Sequence, residues 1–217
     1  MEINMYLDKY KLARYNLFKW RYESNLLYKI TLAFSFACLT GLLAQFRFYL
    51  PGNLVPVTGQ TFAVLLAGIL LGKWGGISQG MYVGFGAAGI PWFQGLNGGI
   101  GYLVGPTGGY LIGFIFTAFF LGYFMDRYIR SRSFLSMLAL MLFANFVLIY
   151  VPGLLLLYFF MGTSIGILEL LMTGMIPFVA GDLVKIFTAA AITKGITPKR
   201  AFNGEVDVDK LKNWHIT

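Results

Sequence analysis

Between Glu23 and Asp126 the chain carries no acidic residue, and its only cations in that interval are Lys29, Arg47 and Lys73. So long a stretch almost without charge does not make an ordinary solvated surface, and it is suited to hydrocarbon. The remainder follows suit. Of 217 residues, 58% are hydrophobic and 12% charged, and the mean hydropathy is +0.70. These values specify a membrane protein with no separate soluble domain.

Six apolar runs are candidate spans. They cover residues 30–50, ended by PGN; 58–71, ended by GKWGG; 76–90, ended by Pro91; 108–125; 134–160, with Pro152 placed to kink it; and 177–194. Pro177 suits the first turn of the last helix, where a missing N–H costs nothing. The expected fold is an all-α membrane protein with six transmembrane helices. Residues 1–29 form a retained basic, aromatic tail, cytoplasmic or interfacial, with Tyr10, Leu17, Trp20 and Tyr22 as apolar anchors if it lies on the lipid surface. Residues 30–195 form the helical domain, and 196–217 a second tail.

Charge sorts the loops into two sets. One holds the first tail with six Lys/Arg, Lys73, the DRYIRSR segment with Arg127, Arg130 and Arg132, and the C-terminal tail; the other holds only Arg47 and Glu169. Positive-inside bias places the first set, and both termini, in the cytoplasm. The outward loop at 91–109 is uncharged and has seven glycines together with Trp92, Phe93 and Tyr102. Irregular backbone at membrane depth persists only if buried in protein or lining a cavity, so this loop between the third and fourth helices is expected to fold back and cap a ligand pocket.

Asp182 and Lys185, in FVAGDLVKIFTAAA, are the most informative residues. They are three apart and share a helix face, at a depth where each charge costs about 2.5 to 3.5 kcal/mol. Either they form an internal bridge, or they face a cavity and serve a polar ligand. Thr58, Gln60, Gln94, Asn97 and Thr107 supply neutral polar groups, and Phe62, Trp92, Phe93 and Tyr102 supply apolar walls. Ala33, Ala37 and Gly41 form a small-residue stripe for close helix approach, within the bundle or against a partner subunit.

Other motifs carry no chemistry. GFGAAG (84–89) ends an apolar span and follows no strand, and GILLGK (68–73) has the wrong spacing for a phosphate loop. The lone Cys38 excludes an internal disulfide, and His215 has no metal-ligand neighbour at helical spacing. No metal or cofactor is expected, and nothing points to nucleic acid. An intramembrane enzyme with Asp182 as acid or base would lack a second carboxylate or a nucleophile beside it.

Four blocks in order, PVTGQTFAVLLAGILLG (56–72), GIPWF (89–93), GPTGGYLIGF (105–114) and IPFVAGDLVK (176–185), resemble the BioY family, the biotin-specific S components of energy-coupling factor transporters. The likeness runs from about residue 30 to 195, and the extension before residue 30 is not matched to the family pattern. The resemblance implies high-affinity biotin capture from outside and ATP use only by partner subunits, namely a transmembrane coupling protein and two ATPases. It also implies residence in a prokaryotic plasma membrane, with a stand-alone oligomeric carrier as the alternative. By the same resemblance Asp182 and Lys185 sit near the ureido ring with Asn97 or Gln60 assisting. Arg47, Lys185 or backbone amides meet the valerate carboxylate, and the Ala33–Ala37 stripe contacts the coupling subunit.

Overall fold

A computed structural model of the chain describes residues 2–49, 54–162 and 164–208. The expected first-span end at Leu50, the PGN stretch and His215 lie outside the described residues. The chain is mostly helical, and among the described residues four stretches are long and apolar enough to cross a bilayer: Leu26–Gln45, Gly108–Arg127, Phe134–Met161 and Ile167–Ile196.

The elements run α1 (Glu2–Glu23), α2 (Leu26–Gln45), β1 (Arg47–Phe48), β2 (Val57–Thr58), α3 (Gln60–Leu71), α4 (Lys73–Ala87), α5 (Ile100–Leu103) and α6 (Gly108–Arg127). They continue with α7 (Phe134–Phe143), a π turn (Ala144–Ile149), α8 (Tyr150–Met161), α9 (Ile167–Gly174), a short turn with Pro177 near its start, and α10 (Val179–Ile196). α6 is central, packed against α3 and α4 on one side and against α8 and the π turn on the other. Its glycines allow that crowding: a Cβ on Gly122 would lie 2.2 Å from the Gly72 carbonyl, and one on Gly109 2.1 Å from that of Pro152.

Three features depart from the sequence reading. The bundle is not wholly α-helical, because β1 and β2 pair antiparallel, Arg47 with Thr58 and Phe48 with Val57. The residues read as a basic tail, or as an amphipathic helix on the lipid surface, contain the helix α1, which is docked on the bundle. Arg14, Phe18 and Arg21, spaced four and three apart, share one face. Arg14 donates to the Gly195 carbonyl at 2.9 Å, Arg21 to the Leu70 carbonyl at 2.8 Å and to Asp126 at 2.7 Å, while Phe18 is buried. Tyr10, Leu17, Trp20 and Tyr22 stay exposed. Residues of the second tail are also tied down: Glu205 meets the buried Arg132, and Asp207 accepts the N–H groups of Ile129 and Arg130. The basic segments therefore gather at one end of the bundle.

Asp126 joins three elements at that end. One oxygen takes Arg21 of α1 and the other takes the Lys73 N–H that opens α4, at 3.0 Å. Between α3 and α4, Gly72 turns at φ +62, and a Cβ there would lie 2.1 Å from the Asp126 carboxylate. Gly72→Ala therefore combines an unfavourable backbone with expulsion of the carboxylate. It should cost about 2 to 4 kcal/mol, read as a lower melting temperature of the detergent-purified chain.

The uncharged loop is folded onto the opposite end. Gln45, the last residue of α2, donates to the Trp92 and Phe93 carbonyls at 3.3 and 3.0 Å and accepts the Leu96 N–H at 3.2 Å. Leu96 is the one described non-glycine residue with a positive φ, +58. Gly86, within the GFGAAG run, gives its Cβ space to the Phe93 ring, so close packing accounts for that motif.

Candidate functional site

A hollow lies between residues 55–58, α3, α6, the π turn, α8 and α10. Its walls are largely apolar: Val55, Val57, Leu111, Phe114, Ile149 and Phe178. Asp182 and Lys185 enter from α10, one turn past the Pro177 start, while Thr58, Gln60, Gln94 and Tyr102 line it from β2, α3 and the loop.

The Asp182 carboxylate is buried and takes three donors. Lys185 Nζ approaches Oδ1 at 2.6 Å, and Asn145 Nδ2 and the Tyr150 hydroxyl approach Oδ2 at 2.9 and 2.6 Å. Such a carboxylate offers about four lone-pair sites, so roughly one remains. Lys185 also donates to the Thr58 carbonyl at 3.1 Å, leaving one of its three N–H groups. The pair is thus bridged and still has one acceptor and one donor position to offer. The Thr61 hydroxyl lines the same hollow and, among the described residues, is buried without a hydrogen-bond partner, while the Tyr102 hydroxyl beside it faces Thr107 and Gln94. Unmet polar groups in a mostly apolar cavity are what a small ligand with both donors and acceptors would satisfy.

Of the twelve residues expected to touch substrate, seven line the hollow: Thr58, Gln60, Gln94, Tyr102, Thr107, Asp182 and Lys185; Phe62 instead packs against the core around Leu65, Ile69 and Leu121. The other four stand behind it. Asn97 donates to the Gln94 carbonyl at 2.9 Å and closes the loop's turn. Trp92 donates to the Tyr82 carbonyl and packs among Phe34, Tyr82 and Phe85. Phe93 is fully buried, stacked behind Tyr102 with ring centroids 5.0 Å apart. Arg47 donates to Gln94 Oε1 at 3.1 Å and so reaches the rim through another side chain. Gln60 is already engaged, donating to the Tyr82 hydroxyl at 2.7 Å and accepting from Thr58.

The small-residue stripe is used inside the chain. Ala33 and Ala37 are fully buried, and a Cβ on Gly41 would lie 3.2 Å from Trp92 Cβ. Small side chains let α2 close on α3 and α4, and that packing takes the surface expected to meet a partner.

Tyr150, Asn145, Tyr110 and Thr61 were not singled out from the sequence. Asn145 had a signal, since it is the only amide in an otherwise apolar span; Tyr150 had none among 13 tyrosines.

Comparison with known proteins agrees with the blocks seen in the sequence. The model of the BioY family matches residues 15–202, so the family pattern reaches into α1, further than the sequence reading allowed. The chain is 50% identical over 156 residues to the probable biotin transporter BioY of Methanothermobacter thermautotrophicus, covering 70% of this chain and 99% of that one. It is 40% identical over 144 residues to the biotin transporter BioY of Thermotoga maritima, covering 66% and 81%. The crystal structure of the S-component for biotin from an ECF-type ABC transporter superposes with a TM-score of 0.69 at 26% identity, covering 77% of this chain and 89% of that one.

Proposed function

The chain belongs to the BioY family, and from that premise we propose that it is the biotin-binding membrane subunit of an ATP-driven uptake system. The observation that carries this reading is the Asp182–Lys185 pair, buried on α10, facing a mostly apolar hollow and keeping one acceptor and one donor position for a ligand. Biotin's ureido ring presents N–H and C=O side by side and suits that pair, with its N–H toward Asp182 Oδ1 and its carbonyl toward Lys185 Nζ. The apolar walls suit the thiophane ring and the aliphatic chain. Arg47, bonded to the pocket-lining Gln94, is our candidate for the carboxylate. The folded loop at 88–107 covers the mouth.

The topology in this proposal is six crossings, with α3 and α4 as short spans, α7 to α8 as one, and α9 to α10 as the last. The end that gathers α1, Lys73, Arg132 and residues 197–208 faces the cytoplasm of a prokaryote, in keeping with positive-inside bias. No chemistry is assigned to the chain and no cofactor is needed. A coupling membrane protein and two ATPase subunits supply the energy and meet a surface other than the buried Ala33 stripe.

Calorimetric titration of the detergent-purified chain with biotin, desthiobiotin, thiamine and riboflavin tests the reading. Biotin should saturate at one site per chain, and thiamine and riboflavin should give no binding heat. Absence of biotin binding would overturn the proposal.

A further inference from the structure

Asn145 and Tyr150 donate to one atom, Asp182 Oδ2, although they stand five positions apart on one helix. On an α-helix that spacing turns the second side chain about 140° from the first, too far for one acceptor to take both. The backbone between them is the π turn Ala144–Ile149. A π turn closes on the fifth residue, which reduces the separation to roughly 50°. The extra residue in the turn is what lets the two donors converge.

α6 supports this turn from behind. Its Thr117 hydroxyl, fully buried and outside the hollow, donates to the Ala144 carbonyl at 3.1 Å. One turn earlier, Gly113 lets α6 approach so closely that a Cβ would lie 2.6 Å from the Leu148 carbonyl. Pro152 has no N–H, so that carbonyl has no helical donor four residues on. Among the described residues Asn145 Oδ1 is left buried without a partner, a cost the chain bears with its amide N–H turned to the carboxylate.

Taking the hollow as the biotin site, we propose that the π turn and its α6 support are a specificity device in which Asn145 and Tyr150 are positioning residues for Asp182. They hold the carboxylate by Oδ2 so that Oδ1, next to Lys185 Nζ, is the oxygen offered to the ligand. A carboxylate fixed at one oxygen cannot swivel, and the donor and acceptor presented by the pair keep one spacing. That spacing selects a ligand edge with N–H and C=O on neighbouring atoms.

Two readouts on the full chain in detergent test the assignment. In biotin titration, Asn145→Leu should weaken binding about tenfold or more, since a hydrogen bond to a charged group is lost. Thr117→Val should weaken it about fivefold, and Thr117→Ser, which keeps the hydroxyl, should bind within about twofold of the unmodified chain. In melting without biotin, Asn145→Leu and Thr117→Val should each lower the transition in the unmodified chain and lower it much less in the Asp182→Asn background, because both act through that carboxylate. Unchanged biotin affinity in Asn145→Leu and Thr117→Val, with the unmodified chain binding, overturns the positioning role and leaves the biotin reading intact. If the unmodified chain does not bind biotin but the melting effects stay coupled to Asp182, the biotin reading fails and the role of the turn stands. Additive melting effects in both backgrounds overturn the role whatever the ligand.

Discussion

Glu205→Ala is expected to destabilise the chain by about 3 to 5 kcal/mol, which lowers the melting temperature of a chain this size by roughly 10 °C. The cause is the charge it would strand. Arg132 has 1% of its side chain exposed and Glu205 none, and the two meet at 2.6 Å. The guanidinium also donates to the Met125 carbonyl through Nε and Nη2, at 3.1 and 2.8 Å, and to the Arg200 carbonyl at 3.1 Å, beneath the Phe202 ring. Burial lowers the Arg132 pKa, and its hydrogen bond to the Glu205 carboxylate opposes that change. Removing Glu205 leaves a desolvated cation with neutral acceptors only and frees the N–H groups of Phe202 and Asn203. Glu205→Gln keeps the shape and part of the bonding and should fall between. Protease sensitivity after Thr197 should rise in parallel, because residues 197–208 are held largely through this pair and Asp207. A shift under about 2 °C for Glu205→Ala would show that the pair contributes little.

The main features of the bundle are legible because lipid makes charge expensive. Asp182 and Lys185 stand out in a span whose one other charge, Lys194, lies in its last turn, and the absence of charge in the loop at 91–109 points to a segment folded on protein. The remainder needed coordinates for stated physical reasons. Arg14, Phe18 and Arg21 share a face, but their partners are backbone carbonyls of Leu70 and Gly195 and the distant Asp126, which no local pattern in α1 reveals. A stripe such as Ala33, Ala37 and Gly41 announces close approach without naming the approaching surface. Asn97 and Trp92 have the chemistry of ligand contacts and spend it on closing the loop. Asn145 and Tyr150 converge only because the helix changes period between them, and a 3.6-residue reading places them on different faces.

Asp182→Asn is expected to weaken biotin binding at least thirtyfold, the consequence of a loss of about 2 to 5 kcal/mol on breaking a buried charge pair. The substitution preserves shape and reverses the hydrogen-bonding character of one atom. The native carboxylate receives three donors, from Lys185, Asn145 and Tyr150. An amide turns an NH₂ toward at least one of them and leaves the Lys185 ammonium without its counter-charge, 18% exposed in a mostly apolar hollow. Melting alone would not separate a site from a structural bridge, since either role predicts a lower transition. The double variant Asp182→Asn, Lys185→Gln separates them. Neutralising both members removes the stranded charge, so stability should return toward that of the unmodified chain, while biotin affinity should stay low because the acceptor and ammonium offered to the ureido ring are gone. A double variant that binds biotin as tightly as the unmodified chain would reduce the pair to internal neutralisation and move recognition to Thr61, Tyr102 and the loop.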